Sequence, residues 1–101
     1  DYVKPVDYTS IKEVNLDGEM VKVYPNPAKD QMYIRLDAKN ESNIKVELYD
    51  MFGKMVLSEN YTTVQGEFKT GIDVARLGRG VYFVKIKLNT GEARIKLILA
   101  E

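Results

Sequence analysis

At 101 residues the chain has room for one domain with a modest core. Its 15 lysines and arginines balance 15 aspartates and glutamates, which argues against a dedicated nucleic-acid binder. Cysteine and histidine are both absent, which removes disulfide staples, the usual general base and the commonest zinc ligand together.

Asp1 to Glu19 is mixed and polar, with Pro5, Gly18 and a Thr9-Ser10 pair, and shows no sustained period. Residues 1–20 therefore read as a linker to an upstream cargo domain, with a short pairing segment around Ile11 to Val14. The sequence opens at Asp1 with no methionine, basic leader or apolar run, so the expectation is the tail of a longer protein that carries its own targeting signal. Residues 21–101 read as the folded domain. Val21 and Val23 begin a strand that runs into Tyr24-Pro25-Asn26-Pro27. Each proline fixes its own φ and removes a ladder donor, and Pro27 pushes Asn26 toward extended geometry. The spacing predicts a stiff corner at a sandwich edge where the chain changes sheets.

Beyond the corner, two-residue alternation continues nearly throughout. The core-facing sets are Met32, Ile34 and Leu36; Ile44, Val46 and Leu48; Met55 and Leu57; Phe68 and Ile72; Tyr82, Val84, Ile86 and Leu88; and Ile95, Leu97 and Leu99. With the first strand they make about seven, at the spacing of an immunoglobulin-like antiparallel β-sandwich. The turn Asp50-Met51-Phe52-Gly53, with Gly53 in the left-handed region, should set Leu48 opposite Met55 and Val46 opposite Leu57. The turn Asn89-Thr90-Gly91-Glu92 must hold an even number of residues to keep one apolar face. That register pairs Leu88 with Ala93, Ile86 with Ile95 and Val84 with Leu97. Tyr82, following a Leu77/Gly78/Gly80 corner, stands where such sandwiches bond a tyrosine back to the preceding backbone, and Val84 replaces the usual cysteine.

Chemistry is harder to place. Asp17 with Glu19, and Asp30 with Asp37, could be paired acids, but no calcium-loop spacing occurs and turn acids are common. Ser10, Ser42 and Ser58 have no histidine to activate them, so no catalytic residues are assigned. Tyr33 and Tyr49, outward on strands read as neighbours, and outward Phe83 are either a sugar-stacking platform or protein contact, or ordinary strand-face aromatics. The cations of the last hairpin are sharper. In the even register Lys87 opposes Arg94 and Lys85 opposes Lys96, and like charges across a ladder are destabilising. Either Glu47, Glu67 or Asp73 on an adjacent strand neutralises them, or the ribbon faces an acidic partner, with Phe83 and Ile98 as apolar neighbours.

Four stretches in order carry a family resemblance: Tyr24-Pro25-Asn26-Pro27; Val46 to Val56 around Tyr49-Asp50 and Gly53; Ile72 to Ile86 around Gly80-Val81-Tyr82-Phe83-Val84; and Ala93 to Leu99. Together they resemble the type A C-terminal sorting domains of the type IX secretion system of Bacteroidetes. The resemblance implies a cargo that folds in the periplasm and is read by the outer-membrane translocon and its shuttle proteins. It also implies clipping at the surface by a sortase-like cysteine protease, which can attach the cargo to anionic lipopolysaccharide. No cofactor, nucleic acid or integral membrane segment is implied. Carried onto this chain, the motif residues are Tyr24, Pro25, Asn26, Pro27, Gly53, Gly80, Tyr82 and Val84, then Arg94, Lys96, Leu97, Ile98 and Leu99; the basic ribbon adds Lys85 and Lys87 to the recognition residues. One departure stands out: Ala100-Glu101 follows where family members commonly close on a lysine and a few apolar residues. The other classes weighed are an immunoglobulin-like carbohydrate-binding or adhesive module, and a structural spacer.

Overall fold

A computed structural model of the chain describes residues 12–16, 19–89 and 91–101. The alternation is realised as strands β1 (Lys12–Leu16), β2 (Glu19–Tyr24), β3 (Gln31–Ala38), β4 (Ser42–Tyr49), β5 (Met55–Thr63), β6 (Gly66–Asp73), β7 (Gly80–Leu88) and β8 (Gly91–Leu99). All pair antiparallel, in one sheet of order β1-β2-β3-β6 and another of order β5-β4-β7-β8. The described residues contain no helix. The seven strands read from the sequence are β2 to β8, and the pairing segment sought near residues 11–14 is β1, laid against β2.

The two inner faces make one core. Met32, Ile34 and Leu36 from the first sheet meet Val46, Leu48, Val84, Ile86 and Leu97 from the second, all essentially without solvent exposure. Burying such side chains contributes about 1.5–3 kcal/mol each, which sets the alternation as the main determinant of register. At the open end, the Tyr61 and Phe68 rings meet at 5.5 Å and join edge strand β5 to edge strand β6.

Three sequence expectations are corrected. The proline corner does not switch sheets, because β2 and β3 are neighbours in one sheet, with Tyr24 opposite Tyr33. It leaves that sheet only far enough for Ala28 to bridge Leu99 of the other, and both of its X–Pro bonds are cis. In the β4–β5 hairpin Leu48 pairs with Leu57, Val46 with Glu59, and Tyr49 with Met55. A bulge between Leu48 and Tyr49 absorbs one extra residue, so both leucines stay inward while Met55 turns out. In the last hairpin the even parity holds, but Leu88 pairs with Gly91. The connection is two residues shorter than expected, so Ile86 meets Ala93, Val84 meets Ile95 and Tyr82 meets Leu97. Even parity alone fixes the face; it leaves the loop length free.

Candidate functional site

The residues singled out in the sequence separate into an anchored end and an open face. At the anchored end Asn26 is buried, and its side chain pairs with β8 as a strand would. Its Nδ2 donates to the Lys96 carbonyl at 2.8 Å and its Oδ1 accepts from the Ile98 N–H at 3.1 Å. Pro25 and Pro27 have no N–H, so the amide side chain supplies the donor that the corner backbone lacks. Ala28 continues the pairing: its N–H donates to the Ile98 carbonyl and its carbonyl accepts from the Ala100 N–H, both at 2.8 Å. The outer edge of β8 from the Lys96 carbonyl to Ala100 is therefore closed to strand addition by a partner.

Arg79 holds the same end. Its Nη1 donates to the carbonyls of Lys29 (2.8 Å) and Ala100 (3.1 Å). Its Nη2 donates to Val74 (2.9 Å), Leu77 (2.7 Å) and Ala75 (3.3 Å). One guanidinium thus ties the corner, the β6–β7 connection and the residue after β8. Sequence reasoning missed this role, because Arg79 sits in the Gly78-Arg79-Gly80 run and its acceptors are backbone. Gly80 adopts φ 144°, a geometry that other residues rarely take. Beside it the expected tyrosine corner is formed, with Tyr82 Oη donating to the Gly78 carbonyl at 2.6 Å.

Val84, Leu97 and Leu99 are core residues and present nothing to a partner. Tyr24 stacks on Tyr33 at 5.7 Å, on the other sheet. Tyr33 and Tyr49 lie on different sheets, so they form no shared platform. Gly53, at φ 85°, closes a turn in which one Asp50 oxygen accepts from Phe52 N–H (2.8 Å) and Lys54 N–H (2.9 Å). Asp17 lies outside the described residues, while Asp30 and Asp37 flank opposite ends of β3.

The open face is the outer side of the second sheet, where Lys85, Lys87, Arg94 and Lys96 all stand. The corrected register changes their neighbours: Lys87 opposes Glu92, Lys85 opposes Arg94 and Phe83 opposes Lys96. Of the three carboxylates considered as neutralisers, Glu47 is the one present. It is buried, opposite Lys85 in the ladder, with Lys45 Nζ at 3.5 Å and Lys85 Nζ at 4.0 Å. The Tyr49 hydroxyl donates to it at 2.8 Å. That bond first, then Lys45, holds the Glu47 carboxyl below the ordinary range against the opposing push of burial, and it raises the Tyr49 phenol. Glu67 pairs instead with Arg35 on the other sheet, and Asp73 accepts from the Ala75 N–H. Arg94 pairs with Glu92 at 3.4 Å, whereas Lys96 has no carboxylate partner among the described residues.

An endo-acting ulvan lyase of Formosa agariphila is 31% identical over 78 residues, covering 71% of this chain and 15% of the lyase. The crystal structure of dimeric latent PorU from Porphyromonas gingivalis contains the same fold, with a TM-score of 0.68 at 23% identity. That match covers 81% of this chain and 9% of PorU. The chain thus spans a small part of the proteins it matches. Residues 22–100, from β2 through the residue after β8, match the secretion system C-terminal sorting domain, and the chain belongs to that family, the sorting domains of the type IX secretion system.

Proposed function

We propose that this domain is the address of a cargo protein, carried across the periplasm and read by the outer-membrane type IX translocon and its shuttle proteins. The family is one of sorting signals and not of catalysts, and it implies delivery to the cell surface or beyond. Ulvan cleavage is the named activity of the lyase relative, of which the matched stretch is 15%. In this reading a sortase-like protease releases the cargo by cutting within residues 1–20, upstream of the family match.

The observation that carries the reading is the family match over residues 22–100. Its recognition surface is assigned to the outer side of β7 and β8, since β8 is bonded at its edge by Asn26 and Ala28 and can be read there only by its side chains. A secreted reporter ending in this chain should reach the surface of a type IX-competent cell. Arg94→Glu with Lys96→Glu should impair delivery while leaving the fold intact, because both side chains are exposed. Lys85 is unsuitable for that test: it is half-buried against Glu47, and reversing it sets two carboxylates together. Normal delivery by the folded double variant would place the address elsewhere.

A further inference from the structure

On the open face one row across four strands runs Met55, Tyr49, Phe83 and Lys96, in that order and in register. Met55, Phe83 and Lys96 are exposed, while Tyr49 is half-buried with the Lys85 ammonium 5.9 Å from its ring centroid. Phe83 is 43% exposed, and Ile98 stands diagonally beside it on β8. The turn at the end of the row carries Met51, 66% exposed, and Phe52, 92% exposed. Of the large hydrophobic residues exposed among the described residues, all but Val64 belong to this face and its turn. Scattered exposed hydrophobics are normal, whereas a cluster in one place marks a contact surface. A depression of about 340 Å³ opens here, lined by Tyr49, Met51, Phe83, Lys85 and Arg94 among others.

The charge around the row is one-sided. Lys45, Lys85, Lys87, Arg94 and Lys96 lie on the outer face of β4, β7 and β8, against the carboxylates of Glu47 and Glu92. Glu47 is already engaged by Tyr49, Lys45 and Lys85, and the Asp50 carboxylate at the turn accepts from two backbone N–H groups. In a chain with equal numbers of acids and bases this face is locally positive.

We propose that the Met55–Tyr49–Phe83–Lys96 row docks an acidic amphipathic peptide segment of a partner protein. Apolar side chains of the segment fill the depression over Tyr49 and Phe83, and its carboxylates meet Arg94 and Lys96. This rests on the sorting reading above and names the chemistry of the partner. A polyanion would use the cations and leave the apolar row idle. A second copy meeting the same face would set cations against cations.

The test uses the whole chain and a fluorescein-labelled peptide alternating glutamate with leucine or phenylalanine, followed by anisotropy and amide shift mapping. Saturable binding is expected, with shifts centred on Tyr49, Phe83 and Lys96. Phe83→Ser and Lys96→Glu, each with an unchanged melting midpoint, should each weaken it by about tenfold or more. Equal binding of a peptide with serine at the apolar positions would overturn the proposal, as would unaffected binding by both variants. So would a dimer in sedimentation that Phe83→Ser dissolves. Reporter delivery by the unaltered domain tests the sorting reading separately, and its failure overturns that reading. With that delivery intact, normal delivery by a folded Phe83→Ser, Met55→Ser variant overturns the docking row alone.

Discussion

The outer faces of the two sheets are built from the same residue classes and end differently. On the first sheet one row is Tyr24, Tyr33 and Gly71. The tyrosines stack, and the Tyr33 ring lies over Gly71, where a Cβ would come within 3.0 Å of it. The next row in one direction, Lys22, Arg35 and Lys69, borders the acidic pair Asp37 and Glu67, and Arg35 forms an ion pair with Glu67. On the second sheet the matching row is Met55, Tyr49, Phe83 and Lys96, with no glycine beneath a ring and with cations in excess beside it. The first face answers its own aromatics and charges. The second face engages Tyr49 with Glu47 and Lys85 but leaves Met55, Phe83 and Lys96 exposed, and the difference arises from which residues share a row more than from composition.

The sharpest way to break the comparison is at the tie between the sheets. Asn26→Ala removes two partly buried hydrogen bonds and leaves the Ile98 N–H and Lys96 carbonyl without partners at the edge. A loss of roughly 2–3 kcal/mol is expected by chemical denaturation, with faster amide exchange at Ile98 and Ala100 and little change at Tyr24 and Tyr33. A smaller effect should come from Gly71→Val, which forces the Tyr33 ring off its seat. It should cost about 1–2 kcal/mol, while Ser58→Val at the exposed edge of the second face should stay within about 0.5 kcal/mol.

Acid should distinguish the faces further. The Glu47 carboxyl is held below its ordinary value in the folded chain, so its contribution is present above the unfolded carboxylate pKa. That contribution is lost as pH falls through the lower folded value. Glu47→Gln should flatten that part of the acid limb in a melting-temperature series. A limb unchanged by the substitution would detach Glu47 from the cation row. The smallest effect is expected at the first face: Glu67→Gln breaks an exposed pair with Arg35 and should shift stability by about 0.5 kcal/mol or less.

Much of this was legible in the chain. Period-two alternation located β2 to β8, and the glycine-rich corner before Tyr82 correctly implied its hydrogen bond. What resisted were features decided by contacts distant in sequence or by ties between equal alternatives. Met55, Val56 and Leu57 are all apolar, so alternation could not say which would be absorbed by the bulge. Loops of two and four residues preserve the same inward face in the last hairpin, and only the pairing of Leu88 with Gly91 distinguishes them. Arg79 reads as a surface cation until its carbonyl acceptors, up to 50 residues away, are brought around it. Asn26 was closer to reach: an amide between two residues without N–H groups is the one local source of a backbone-like donor.

The bonds of Asn26 also bear on timing. They join positions 70 and 72 residues apart, so they form only after nearly the whole domain is in hand. Closing a loop of that length carries an entropic cost that local hairpins such as β4–β5 do not meet. A chain interrupted before Lys96 could still pair β4 with β5 and β3 with β6, but it would lack the partner that fixes its corner. The corner is therefore finished only when β8 is in place, although its own residues lie near the start of the domain.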